Sequence, residues 1–244
     1  MGEKEIQRID EIGFGSLKVI QNPHWFCYGI DAVLLADFAK KKKGARITDL
    51  GTGTGIIPLI LYYKAAPEKV IGIEVQTAVA ELAKKTVALN FLEDRIHILN
   101  CNVKEAVELI GKQTQDVVVS NPPYLAEGNG LECDVREKAI ARQELLGSLE
   151  DFIACSEGLL KEKGELYMIH RPQRLVDVVT LCRSYRLEPK WIRFVQPFVG
   201  KKPNLFLICC VKYGKPELKF LDPLSVYDEN GNYTKEILNI YERK

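Results

Sequence analysis

Little in this chain points away from an ordinary aqueous compartment. No apolar run reaches the roughly 18 residues that a membrane-spanning helix needs, and the opening MGEKEIQRIDEIG lacks the basic-then-apolar order of a secretory signal. Met1-Gly2 resembles the start of a myristoylation signal, but Ile6 stands where Ser or Thr is required. Histidine is scarce, with only His24, His97 and His170, none at ligand spacing from a cysteine, and Cys-x-x-Cys pairs are missing, so no metal is expected. The seven cysteines are scattered and odd in number, which argues against a disulfide framework and for reduced, mostly buried thiols. A net charge of +1 removes any strong attraction of the whole chain to polyanions. A cytoplasmic location with no membrane partner follows as the expectation.

What is present suits a packed α/β fold. The 244 residues, 46% hydrophobic and 27% charged, fit one domain of generous size with enough apolar side chains for a core. Short β-branched runs alternate with longer helical patterns, the sign of βαβ units and a mainly parallel sheet. Strands are predicted at about 45–50, 69–74, 95–99, 115–119, 164–170, 188–196 and 204–212, with helices at about 31–40, 55–65, 76–90, 103–110, 143–160 and 172–185. Gly200 and Pro203 mark a turn between the last two strands, so five parallel strands should be followed by an antiparallel hairpin at the sheet edge. The expectation is a seven-stranded sheet with helices on both faces. Residues 1–40 form an N-terminal extension, 41–213 the core and 214–244 a C-terminal tail in which Asp-Glu-Asn-Gly turns into a short helix. The polar, glycine-punctuated segment 125–142 is a candidate lid.

Two stretches carry chemistry. Asp49-Leu50-Gly51-Thr52-Gly53-Thr54-Gly55 lies between a predicted strand and helix, where glycines let the backbone turn sharply and approach a ligand. Glu74 closes the next strand about 20 residues on, where a carboxylate can accept from both hydroxyls of a ribose. The spacing is G-x-G-x-G rather than the G-x-G-x-x-G of pyrophosphate sites, which favours a nucleoside without phosphate and disfavours a nicotinamide oxidoreductase. A structural turn with a surface glutamate is the bland alternative.

The second stretch, Asn121-Pro122-Pro123-Tyr124, directly follows the apolar strand DVVVS, at the carboxyl edge where open α/β sheets bind ligands. An amino group on an aromatic ring is a poor nucleophile because its lone pair is delocalised. The Asn121 amide oxygen and the Pro122 carbonyl can each accept one N–H, favouring a pyramidal nitrogen whose lone pair points at a donor methyl. Pro123 stiffens the loop, and Tyr124 offers a ring on which a planar base stacks. Positioning then carries catalysis without a strong general base. An ordinary Asn-Pro-Pro turn is the alternative.

With these residues the chain resembles the N6-adenine and N5-glutamine class of Rossmann-like class I methyltransferases. That resemblance implies S-adenosyl-L-methionine as cofactor, with Asp49, Gly51, Gly53, Gly55 and Glu74 binding it and Asn121 to Tyr124 binding the acceptor amino group. Phe26 to Leu35, His170-Arg171-Pro172 and Lys201-Lys202-Pro203-Asn204 are similar to segments of bacterial tRNA adenine-37 N6-methyltransferases acting on a valine tRNA. In that narrower family the Gly-x-Asp-Ala stretch, here with Tyr28, Gly29 and Asp31, approaches the cofactor; alternatively Asp31 simply caps the following helix. Asn102, followed by Val103, stands where such enzymes often carry an aspartate for the cofactor's adenine.

The main rival is a glutamine N5-methyltransferase acting on release factors, which shares Asn-Pro-Pro-Tyr but carries a helical N-terminal domain for which about 40 residues are too few. DNA or rRNA acceptors and a non-catalytic nucleoside-binding module are further alternatives. RNA is favoured by the stretch 183–202, where Arg183, Arg186, Lys190, Arg193, Lys201 and Lys202 face one acid, Glu188, with Tyr185, Trp191, Phe194 and Phe198 interleaved. Arg193, Lys201 and Lys202 are the candidate substrate contacts, and Lys40 to Lys43 with Arg46 form a second basic cluster.

Overall fold

A computed structural model describes residues 7–23, 28–39, 43–123 and 147–242. The chain opens with an antiparallel hairpin, β1 (Arg8–Glu11) and β2 (Lys18–Gln21), followed by helix α1 (Ile30–Phe38). Next come β3 (Arg46–Leu50), α2 (Ile56–Ala65), β4 (Lys69–Glu74), α3 (Thr77–Leu89), β5 (Ile96–Asn100), α4 (Val103–Ile110) and β6 (Gln115–Ser120). After the segment containing Asn121 the chain continues as α5 (Leu149–Leu159), β7 (Leu160–His170), a 3-10 turn at Pro172–Arg174, α6 (Leu175–Ser184), β8 (Leu187–Phe198), β9 (Leu205–Lys212), β10 (Lys219–Tyr227) and α7 (Lys235–Ile240).

The main sheet runs β10-β8-β9-β7-β6-β3-β4-β5. The five strands β5, β4, β3, β6 and β7 are parallel, and β9 and β8 follow antiparallel, as the alternating pattern predicts. Strands such as Val117-Val118-Val119 are apolar on both sides because each face is covered. One face packs against α1, α2, α3 and α7, with Leu34, Leu59, Ala83 and Ile237 buried there; the other packs against α4, α5 and α6 through Ala106, Phe152 and Val178. Among the described residues no helix is long and apolar enough to cross a membrane.

The sheet has eight strands, not seven, because part of the expected tail pairs with it. β10 runs parallel to β8, so the β8–β9 hairpin is internal on its β8 side. Pro223 obscures this strand in the sequence, since proline cannot donate to a ladder; here the register shifts between Leu221 and Leu224, and an edge strand tolerates the interruption. The tail is anchored further by Lys64, which donates to the Ile240 carbonyl at 2.6 Å and to Asp37 at 2.7 Å. At the other end the β1–β2 hairpin is strapped to α3: the Lys18 amide donates to Asn90 Oδ1 and the Ile20 amide to the Thr86 hydroxyl.

Candidate active site

Strand order reverses beside β3: β4 and β5 lie to one side, β6 to the other. In open α/β sheets such a point leaves a crevice at the carboxyl ends of the strands. β3 and β6 are hydrogen-bonded neighbours with Leu50 opposite Ser120, and the Ser120 hydroxyl donates to the Leu50 carbonyl at 3.1 Å. The glycine turn and the Asn-Pro-Pro segment therefore leave adjacent, tied strand ends on one edge.

The glycine turn is held from below. Gly51 and Thr52 donate their amides to the Ile73 carbonyl at 2.9 and 2.8 Å. Gly51, Gly53 and Gly55 have φ of 76°, 57° and 84°, the left-handed region that side chains disfavour. Among the described residues a Cβ on Gly53 would meet no atom within 4 Å, so this part of the backbone is open to a ligand. Gly51 rests on Phe152 instead, at 3.4 Å from its would-be Cβ.

Glu74 is buried and organises this turn: one carboxylate oxygen accepts from Gly53 N at 3.0 Å, the other from Gln76 N at 2.9 Å. Any ribose contact must use the remaining lone pairs of these oxygens. Asp49 is fully buried in β3, just before the turn. Among the described residues neither carboxylate oxygen has a hydrogen-bond partner of good geometry, although the Thr52 hydroxyl lies close by. Burial pushes Asp49 up to about 7; the Thr52 hydroxyl offsets part of this and the charge of Glu74 adds to it. An unsatisfied carboxylate under a glycine turn suits a ligand carrying positive charge above it.

Asn102 is the N-cap of α4: its side chain accepts from Lys104 N at 3.1 Å, and Glu105 closes a capping box on Asn102 N. Its oxygen thus already serves the helix, while the Val103 side chain is buried in the core. Tyr28 is half-buried and donates its amide to Gln21 Oε1 at 3.0 Å. Asp31 does not act as the N-cap of α1; Gly29 holds that place without a side-chain cap. Asp31 instead accepts from Asn121 Nδ2 at 3.0 Å, joining two motifs that are 90 residues apart.

Beside the Asn-Pro-Pro segment a cavity of about 230 Å³ is lined by Pro122, Pro123, Glu150, Phe152, His170 and Arg174. That is below the roughly 300–1,000 Å³ of drug-sized pockets and suits one planar base. Phe152 touches both this cavity and Gly51, so the two loops share a wall. His170 Nδ1 accepts from Arg171 N at 2.8 Å, and burial, with the charge of Arg174, lowers its pKa to about 4. The ring is neutral at pH 7 with its proton on Nε2. Ser120 belongs to the Ser-Asn-Pro-Pro-Tyr motif, whereas Phe152 and Arg174 carry no signal in the sequence that marks them as wall residues. Tyr124 and the candidate lid 125–142 lie outside the described residues.

The basic stretch does not form one face. Arg183 pairs with Glu188, Arg186 bonds the Tyr213 hydroxyl, and Lys190 donates to the Lys215 carbonyl. Arg193 donates to the Asp222 carbonyl at 2.8 Å and pairs with Glu236 at 2.7 Å, so it anchors the C-terminal elements. The physical cause is that β8 is an interior strand whose side chains alternate between faces, with Trp191 and Phe194 packed against opposite cores. Lys201 and Lys202 remain exposed in the β8–β9 turn, at the same sheet edge as Asn121. Lys40 to Lys42 lie outside the described residues, and Arg46 pairs with Glu68.

Residues 17–177 match the methyltransferase small domain family. The chain belongs to that family. This methyltransferase is 30% identical over 226 residues to a tRNA1(Val) (adenine(37)-N6)-methyltransferase of Porphyromonas gingivalis, covering 88% of this chain and 86% of the relative. A protein of the same name from Haemophilus influenzae is 25% identical, with 93% and 94% covered. Among solved structures, a predicted O-methyltransferase from Agrobacterium tumefaciens superposes with a TM-score of 0.72 at 23% identity, covering 87% of this chain and 95% of that one. M. jannaschii TYW2 in complex with AdoMet gives a TM-score of 0.59 at 12% identity, covering 86% and 87%. At these identities the structural likeness concerns the fold: Rossmann-like, class I.

Proposed function

We propose that this methyltransferase transfers the methyl group of S-adenosyl-L-methionine to N6 of an adenine in tRNA, at position 37 in the anticodon loop of a valine tRNA. The observation that carries the reading is the pairing of β3 with β6, which puts the glycine turn and Asn121-Pro122-Pro123 on adjacent strand ends. When bound, the cofactor supplies an electrophilic methyl group. The open backbone at Gly53, the Glu74-braced turn and the buried Asp49 carboxylate suit a cationic nucleoside. On the acceptor side, the Asn121 amide oxygen and the Pro122 carbonyl take the two N–H groups of the adenine, and the proline-lined cavity takes its ring.

Relatives named for this tRNA reaction support the choice of acceptor, as does the unpaired state of an anticodon-loop base, which avoids the few kcal/mol needed to extrude a base from a duplex. Lys201 and Lys202 contact the phosphate backbone from the rim of the site. A tRNA acceptor puts the reaction in the cytoplasm. The test incubates the purified chain with methyl-labelled cofactor and, in separate reactions, an adenine-37 valine tRNA transcript, duplex DNA or release factor. Label is expected in the tRNA; label in protein alone would overturn the reading.

A further inference from the structure

We propose that Asp31 is a positioning residue whose carboxylate fixes the side-chain amide of Asn121 with Oδ1 turned toward the acceptor. The inference rests on the function proposed above and concerns how its central oxygen is aimed. An amide has two faces of nearly the same shape, one an acceptor and one a donor, and only the acceptor face can receive an amino N–H. Something must choose between them. A carboxylate accepts and cannot donate, so the edge of Asn121 that meets Asp31 has to be Nδ2. The contact is present at 3.0 Å and partly buried. Reversing the amide would set two acceptor oxygens against each other and leave the donor bond unmade.

The surroundings of Asp31 are built for this contact. Its second oxygen accepts from Ala32 N at 3.0 Å, which pins the carboxylate at the start of α1. Gly29 has φ of −109°, open to any residue, so its backbone does not explain why it is glycine. Space does: a Cβ there would lie 2.8 Å from Asp31 Oδ1, too close without displacing the carboxylate. The residue before it is held by Gln21, whose Oε1 accepts from Tyr28 N while its Nε2 donates to Asp10 at 2.6 Å. The β1–β2 hairpin therefore fixes the start of α1, and Gly-x-Asp delivers that rigidity to a loop 90 residues away.

The test compares Asp31→Asn, Asp31→Ala and Gly29→Ala with the parent chain in single-turnover methyl transfer to the tRNA transcript, with cofactor affinity measured by calorimetry. Asp31→Asn keeps the shape but restores the freedom to invert, so transfer should slow by about twofold or more, the loss when both orientations are equally populated, while cofactor affinity is unchanged. Gly29→Ala should behave alike, which guards against a fold defect special to position 31. In Asp31→Ala/Asn121→Ala, transfer should be no slower than in Asn121→Ala alone, because Asp31 acts only through the amide that Asn121→Ala removes. A readout independent of turnover is the side-chain NH₂ signal of Asn121 in ¹⁵N-labelled protein, identified by its loss in Asn121→Ala. It should be protected from solvent exchange in the parent and unprotected in Asp31→Ala. Loss of cofactor affinity in Asp31→Asn with unchanged saturated transfer would make Asp31 a cofactor ligand instead, and multiplicative losses in the double variant would also overturn the proposal. If the parent transfers no methyl to tRNA, the functional reading fails, and the exchange measurement still decides whether Asp31 holds the amide.

Discussion

Asn121 directly follows β6 and Asp49 lies within neighbouring β3, yet they face opposite electrostatic demands. Asn121 has to offer a neutral oxygen to an incoming amino group, and removal of one such preorganised contact typically slows a reaction on the order of 10²-fold. Asn121→Ala should therefore lose about that much transfer rate while binding cofactor as the parent does; equal turnover would remove the assigned role. Asp49 is a buried acid with its pKa raised from 3.8 to about 7, so the folded state holds the proton more tightly than the unfolded chain. Its contribution to stability is full below 3.8 and is lost as pH rises through about 7. In thermal melts across that range, Asp49→Asn should remove this decline. A cofactor with a positive group over the turn should bind more tightly to the parent as pH rises through 7, because the carboxylate ionises, and this pH dependence should be flat in Asp49→Asn.

Strands and helices with a strong period were readable from the chain, and the contacts between them were not. The strand over 69–74 and the helix over 103–110 coincide with β4 and α4, because a short, largely buried run centred on Val70-Ile71 and Ile73 and an Asn-capped amphipathic run leave few alternatives. β10 was hidden by Pro223 and by having five exposed positions at its start. The charge of 183–202 is dense in sequence but divided in space, because a strand sends neighbours to opposite sides. That division separates two kinds of variant. Arg193→Ala should destabilise the fold by about 1.5–3 kcal/mol, the usual range for a hydrogen bond to a charged group, with little change in RNA affinity. Lys201→Ala with Lys202→Ala should leave unfolding unchanged in denaturant titrations. The pair should weaken tRNA binding and flatten its salt dependence by roughly 0.7 in log–log slope per lost phosphate contact. An unchanged salt slope would remove these lysines from the RNA-facing rim.

At the level of the whole molecule, the sequence legibly carried the class of chemistry because glycine turns and Asn-Pro-Pro-Tyr are local. The partners that tune those motifs are distant in sequence: Phe152 shared by turn and cavity, Ser120 tying β6 to β3, Asp31 facing Asn121. Each becomes a neighbour only once the strand order is known. The central claim is that this edge of the sheet presents acceptor oxygens to an exocyclic amino group. It is tested most directly by digesting tRNA methylated by the purified chain to nucleosides and locating the added methyl by mass spectrometry. The account predicts N6-methyladenosine as the product, sharply reduced in Asn121→Ala. A methyl group on a ring nitrogen, a ring carbon or a ribose hydroxyl would contradict it.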